Sequence, residues 1–447
     1  MTFSIIQKSQ LEGAQRIDAE YYQPEFLKVL KLLKTLKNKK LSEIAYITDG
    51  EHGSPIFDEQ SGIKYFSAQH VKDFLIDSST AKTISKIIDE KNKRSRLQKG
   101  DVLLSTVGTI GFAGLVTGDC LPANIDRHVA RIALKENTMD PEVLTVFLNS
   151  KYGRFQTTRE ATGNVQLNLF IDKIKELIIP DLSKEDQVKN LFDEALDKLN
   201  QSKLYYQQAE DLLLEELGLK DFDKQNDLFS IVQYCDVIAV NRNDAEYFQP
   251  KYLRLHGKLK SKSQPLLKMI QNVPAKFEPA KEPGREFKYV ELSNINSANG
   301  LIDGYETVLG KEAPSRARRV LKTGDVIVSS VEGSLEKVAL VSEKQENYLA
   351  STGFFQFRSD KILPEALLII MKSMVIQWQL KQHCAGTILT AVPGEALNKM
   401  YIPVLLSPIQ QKIADLIRQS HAARQKSKEL LDSAKRKVEE MIEKGGE

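Results

Sequence analysis

Apolar positions along this chain follow two rhythms. Short runs such as DVLLSTV from Asp101, HVARIAL from His128, DVIVSSV from Asp325 and VALVSE from Val338 are rich in β-branched residues and bounded by Gly, Asn and Asp. Such runs predict strands separated by turns. Elsewhere the apolar positions fall at helical spacing. Val188, Phe192, Ala195, Leu199, Ser202, Tyr206, Ala209 and Leu213 alternate steps of four and three, which is a heptad seam. Ile413, Ile417, Ser420, Arg424, Ser427, Leu431, Ala434, Val438 and Met441 keep the same beat. FLKVLKLLKTLKNKK, from Phe26, predicts a shorter helix with a solvated lysine face.

The second seam is the first one written again 225 residues later, and the rest of the chain is doubled with it. DAEYYQPE from Asp18 returns as DAEYFQPK from Asp244, and FSIIQ from Phe3 as FSIVQ from Phe229. Arg16 falls on Arg242. IKYFSAQHV from Ile63 answers FKYVELSNI from Phe287, and KGDVLLSTVGTIG from Lys99 answers TGDVIVSSVEGSL from Thr323. DPEVLTVFLNS, ATGNVQ and LIIPDLS have counterparts in LPEALLIIMKS, AGTILT and MYIPVLL. An internal repeat of this size predicts two copies of one domain. Each copy is expected to be a compact α/β unit around a mostly antiparallel or mixed sheet, followed by a long helix. The expected fold class is α+β, pseudo-twofold, with the two helices paired as an antiparallel coiled coil. The expected boundaries are 1–182 and 229–406 for the globular units, 183–218 and 407–445 for the helices, and 219–228 for a linker.

Bulk composition narrows the function classes. At 447 residues the chain exceeds a single core. Sixty-three basic and 60 acidic residues leave a net charge of +3, so a nucleic-acid binder would have to concentrate its cations locally. Cys120, Cys235 and Cys384 are too few and too scattered for a disulfide framework, and a cytoplasmic location is expected. There is no signal-peptide pattern at the start, and no apolar run long enough to span a membrane.

Motifs for self-contained chemistry are missing. GTIGFAG, from Gly108, lacks the GK[ST] ending or GxGxxG spacing of a phosphate loop and reads as a tight turn. No HExxH, CxxC or GxSxG is present, nor an NPPY-type tetrapeptide or an FxGxG loop. No catalytic residue and no metal ligand is therefore assigned.

KGDVLLSTVGTIGFAGLV, the ATGNVQLNL phrase, the Ile-Pro end of each globular unit and the QxxIxxL helix start (Gln410, Ile413, Leu416) together resemble the specificity subunit of Type I restriction–modification systems. The resemblance covers nearly the whole chain, although the second copy breaks the glycine pair between Glu332 and Leu335. It implies a non-catalytic subunit in which each globular unit reads one half of a split double-stranded DNA target. The helices would set the gap between the halves and dock two adenine-N6 methyltransferase subunits, with two restriction/translocase subunits joining them. No cofactor would be bound by this chain; S-adenosylmethionine would sit on the methyltransferase partner, ATP and Mg on the nuclease partner. The recognition subunit of a Type IIB/IIG-like enzyme is the nearest alternative. A self-sufficient methyltransferase or nuclease and a scaffold that never touches DNA are more distant ones.

Phosphate contact needs Lys and Arg, and base contact favours Arg, Asn and Gln at loop tips. The run EKNKRSRLQKGD supplies Lys93, Arg94 and Arg96, and PSRARRVLKTGD supplies Arg316, Arg318 and Arg319 at the matching place. The turn-rich DGEHGSPIF and SAQHVK phrases offer His52, Gln69 and His70, with Asn294 opposite in the second copy. Asn164, Gln166 and Thr387 lie in phrases that read equally as groove contacts or as structural turns, and Arg127 completes the DNA-binding candidates.

Overall fold

In the first half of the chain the predicted strands form two small sheets. The computed structural model describes residues 4–8, 11, 16–163, 166–182, 186–222, 229–386 and 390–445. Its elements here are α1 (Pro24–Thr35), β1 (Ala45–Asp49), β2 (Lys64–Phe66), β3 (Lys82–Thr83), β4 (Val102–Ser105), β5 (Ala113–Leu115), β6 (Ala123–Ile125), β7 (Val129–Leu134), α2 (Pro141–Asn149) and α3 (Lys151–Glu160). One sheet has the antiparallel order β1-β7-β4-β5. The other has the order β3-β2-β6, with β2 and β6 parallel. All four residues of β4 are buried, which is why its run reads as continuously apolar. Val102 and Leu104 pack with Val143, Leu144 and Phe147 of α2, whereas Leu103 packs with Phe66 and Ile125 of the second sheet. Period-two alternation is thus present but masked, because both faces are covered.

The second half repeats this plan. After the long helix α4 (Asp186–Leu217) come α5 (Pro250–Leu259), β8 (Gln271–Asn272), β9 (Glu286–Val290), β10 (Glu306–Leu309), β11 (Ala317–Val320), β12 (Val326–Ser329), β13 (Val338–Leu340), β14 (Leu349–Ser351), β15 (Phe354–Arg358), α6 (Pro364–Lys372), α7 (Met374–His383) and the long helix α8 (Ser407–Lys444). The sheet orders are β8-β15-β12-β13 and β10-β9-β14-β11, with β9 and β14 parallel. Val326 and Val328 join the helix-side core, and Ile327 joins the core beneath the second sheet. The Ile-Pro phrases have one job in both halves. Ile179 and Pro180 pair with Lys39 and Asn38, and Ile402 and Pro403 pair with Gln264 and Ser263.

The GD phrase is also explained twice. Asp101 accepts from the backbone N–H of Gln98 at 2.7 Å and from both sides of the Arg131 guanidinium at 2.6 and 3.2 Å. Asp325 accepts from the Lys322 N–H at 2.9 Å and from Arg358 at 2.7 and 2.9 Å. Each Asp closes a turn and ties it to a neighbouring strand, and the glycine before it sits at positive φ (+91° for Gly100, +86° for Gly324). GTIGFAG is a turn between β4 and β5, as its spacing predicts. A Cβ on Gly111 would lie 2.3 Å from Thr157 Oγ1.

The chain divides into two units, residues 1–199 with 425–447 and residues 200–424. Each unit therefore holds part of both long helices. In the first unit Val188, Phe192 and Ala195 share a core with Leu430, Leu431, Ala434 and Val438. In the second, Tyr206, Ala209 and Leu213 share a core with Ile413 and Ile417, and Ser202 Oγ lies 3.1 Å from Ser420 Oγ. The heptad positions read from the sequence are buried, except that Arg424 and Met441 are half-buried.

The doubled acidic-aromatic phrase is framework. Arg16 forks onto Asp18 at 2.9 and 2.6 Å, and Arg242 onto Asp244 at 2.7 and 3.0 Å. The Tyr21 carbonyl accepts from Arg159 of α3 at 3.1 Å, and the Tyr247 carbonyl from Gln382 of α7 at 3.1 Å. The phrase docks in each unit on the second helix after the sheet. The Arg16 and Arg159 guanidinium carbons lie 4.3 and 3.5 Å from the Tyr21 ring centroid.

Candidate nucleic-acid interface

Four of the sequence-predicted residues meet at one cleft in the first unit. His52, Gln69, His70 and Arg127 line a cavity of about 590 Å³ together with Glu51, Tyr65, Lys82, Asp126 and His128. The loop after β1 supplies His52, the turn after β2 supplies Gln69 and His70, and the loop between β6 and β7 supplies Arg127. A parallel bridge between Glu51 and Asp126 ties the first of these loops to the third.

His52, Arg127 and His70 are each held by a specific partner. His52 Nε2 lies 2.7 Å from Asp49 Oδ2, and Arg94 Nη2 donates to Asp49 Oδ1 at 3.1 Å, so Arg94 is brought to the same rim. Arg127 Nε donates to His128 Nε2 at 3.1 Å. The other ring nitrogen of His128 lies 3.3 Å from Asp126 Oδ2, so the neutral ring carries its proton on that side. His70 Nδ1 accepts from the Ser67 backbone N–H at 2.9 Å.

The cleft is polar and mixed in sign. Hydrogen bonds from Asn92 and from the Gly53 N–H hold the Glu51 carboxyl below its ordinary range. Burial raises the pKa of Asp126 against the opposing pull of His128. Burial pushes the His70 imidazole down and keeps the Tyr65 hydroxyl protonated. With two carboxylates in its walls the cleft offers acceptors as well as donors, a mixture that suits base edges better than phosphates.

The basic runs separate once folded. Lys93, Arg94, Arg316 and Arg318 are exposed and Arg96 is half-buried. Lys93 pairs with Glu90 at 2.8 Å, Arg96 with Glu90 at 2.8 Å and with Asp89, and Arg318 with Glu278 at 3.5 Å. Lys93 and Arg96 together pull Glu90 down to about 2. Arg319 is placed differently. It is 8% exposed, and its Nη1 donates to the Val273 carbonyl. Arg318 and Arg319 are successive residues of β11 where its register against β14 slips by one residue, and the buried one is committed to the fold.

His70 is likewise buried, with its ring set into the turn, whereas Gln69 is exposed. Asn294 is half-buried and Gln166 exposed. Asn164 and Thr387 lie outside the described residues. Sequence reasoning did not single out Glu51, Tyr65, Lys82 and Asp126. They are spread over 76 positions and are joined only by strand pairing, so no local signal marks them.

Among the described residues no group of three or more His, Cys, Asp or Glu side chains is placed to hold a metal ion. Nor is any described helix long and apolar enough to cross a membrane.

The chain is similar to proteins described as specificity subunits of Type I restriction enzymes and S subunits of Type I restriction–modification systems. Over 130 residues it is 31% identical to the Type I restriction enzyme EcoBI specificity subunit of Escherichia coli. That stretch takes in 29% of this chain and 27% of the relative, so little more than a quarter of the relative's length is matched. Among solved structures, the S subunit of a Type I restriction–modification system from M. genitalium aligns over 92% of this chain and 95% of its own, at 14% identity and a TM-score of 0.42. The HsdS subunit from Thermoanaerobacter tengcongensis aligns over 92% and 96%, at 14% identity and a TM-score of 0.28. No protein-family model matches the chain.

Proposed function

We propose that this chain is the non-catalytic DNA-recognition subunit of a Type I restriction–modification assembly. The observation that carries this reading is the duplication. One sheet order, one GD turn and one docking phrase occur twice, while the loop residues presented beside the strands differ between the copies. Two readers with a common frame and different tips are what a target in two unlike halves requires.

In this reading residues 1–182 and 229–406 are the readers. The long helices α4 and α8 pair as an antiparallel coiled coil that fixes the gap between the half-sites. They also dock two adenine-N6 methyltransferase subunits, joined by two restriction/translocase subunits. A helix of 32 residues is roughly 48 Å long, or about 14 base-pair steps. S-adenosylmethionine, ATP and Mg belong to those partners, and the assembly works on chromosomal and incoming DNA in the cytoplasm.

The deciding experiment is a map of methylated adenines in host DNA with and without this gene, the partner genes being expressed. Loss of one two-part motif is expected. An unchanged map overturns the reading.

The exposed cations are assigned to phosphates. In the assembled complex, alanine at Arg94, Arg316 or Arg318 is expected to reduce the slope of log K against log salt by about 1 each. Arg319→Ala is expected to leave the slope unchanged and to lower stability instead. Equal salt slopes for all four variants would remove this assignment.

A further inference from the structure

Beside the cleft, the two units share one small device whose tip differs. In the first unit β2 runs into a single 3-10 turn, Ala68–His70, and in the second β9 runs into Leu292–Asn294. Both turns are clamped in the same way. His70 Nδ1 accepts from the Ser67 N–H at 2.9 Å, and Asn294 Oδ1 accepts from the Glu291 N–H at 2.8 Å. An imidazole nitrogen and an amide oxygen are different groups doing one task. The clamp fixes the middle residue of each turn, which is exposed in both units: Gln69 in the first and Ser293 in the second. The clamping function is kept and the presented side chain is changed.

The surroundings of Gln69 are those of a ligand site. It lines the cleft with Lys82, Arg127 and His128. Behind it lie two buried polar atoms, Tyr65 Oη and His70 Nε2, with no hydrogen-bond partner among the described residues. Because Nδ1 of His70 accepts a hydrogen bond, the neutral ring carries its proton on Nε2. The Thr80 backbone is close enough to favour the protonated ring, yet makes no bond of normal geometry with Nε2. Unsatisfied buried polar groups are rare in folded proteins and call for an explanation, of which a binding role is one.

We propose that Gln69 and Ser293 are equivalent sequence-reading positions, each held toward the major groove by the clamped turn beneath it, and that Gln69 reads an adenine. A glutamine amide matches the N6 and N7 edge of adenine with two hydrogen bonds. A serine hydroxyl makes one bond to either kind of edge and is less selective. His70 and Asn294 are positioning residues. This inference rests on the chain being a DNA-recognition subunit.

The test uses the full chain assembled with its methyltransferase partner and reads the methylated motif. Gln69→Ser is expected to cost roughly ten- to hundredfold in discrimination at one position of one half-site, with the other half unchanged. Gln69→Glu is expected to shift the preference at that position toward cytosine, whose amino group a carboxylate accepts. Ser293→Gln is expected to sharpen one position in the opposite half. His70→Asn, which installs the clamp of the second unit, is expected to keep the motif, whereas His70→Ala is expected to blur its half-site. An active complex whose base preferences are unmoved by all three tip substitutions overturns the reading role. His70→Asn behaving like His70→Ala overturns the clamp. If the unmodified chain directs no two-part motif, the underlying functional reading fails instead.

Discussion

Replacing Asp325 with alanine is expected to lower the unfolding free energy by about 3 kcal/mol or more, the usual cost of breaking a buried ion pair from one side. The Asp325 side chain is fully buried. Its carboxylate takes both arms of Arg358, the Gln356 amide at 2.6 Å and the Lys322 N–H at 2.9 Å. Alanine leaves the Lys322 N–H without its acceptor and removes the tie between the turn and β15. Arg358 is 40% exposed and can turn to solvent, which keeps the cost toward the lower end of the range. Asp101→Ala is expected to be at least as damaging, since Arg131 is only 15% exposed. Asparagine at either position keeps an acceptor for the turn and should recover part of the loss. The check is the denaturant midpoint at constant slope. A change below 1 kcal/mol for both alanine variants would show that the GD turns are not structural ties.

The second large effect is expected at Phe192. Its ring is fully buried among Val188, Ala195, Leu431, Ala434 and Val438, where the first unit's parts of α4 and α8 meet. Truncation to alanine removes that apolar surface from the core and leaves a cavity, with a typical cost of about 3–5 kcal/mol. Leu204 lies on the same helix and is 56% exposed. Leu204→Ala should therefore change stability by less than about 0.5 kcal/mol. Equal effects at the two positions would mean that the heptad seam is not the packed face. A Phe192→Ala chain that also stops directing methylation while still binding partner subunits would tie the seam to function as well as to folding.

Much of the fold was legible because it is written locally and twice. The heptad steps place Val188 and Phe192 on one helical face whatever packs against them, and the structure buries that face. The strand runs DVLLSTV and DVIVSSV hold four-residue strands at matching places. The candidate interface was legible only in part. His52, Gln69 and His70 were picked out in polar, turn-rich phrases and Arg127 as a further cation, and the fold gathers all four around one cleft. Asp126 and Tyr65 were not, since a carboxylate or a phenol in a strand-rich segment carries no local mark of what it faces.

By itself, then, the amino-acid sequence determined the repeat, which shows when the chain is compared with itself, and the two long amphipathic helices and the turn chemistry, which depend on residues within one or two turns of each other. The tertiary structure alone decided which polar groups face outward. Arg318 and Arg319 are neighbours in a basic run, yet at the register slip in β11 one lies in solvent and the other reaches the Val273 carbonyl. It also decided that His70 works from beneath, as a clamp, while Gln69 stands exposed. That choice depends on a single turn being seated against the walls of its own cleft.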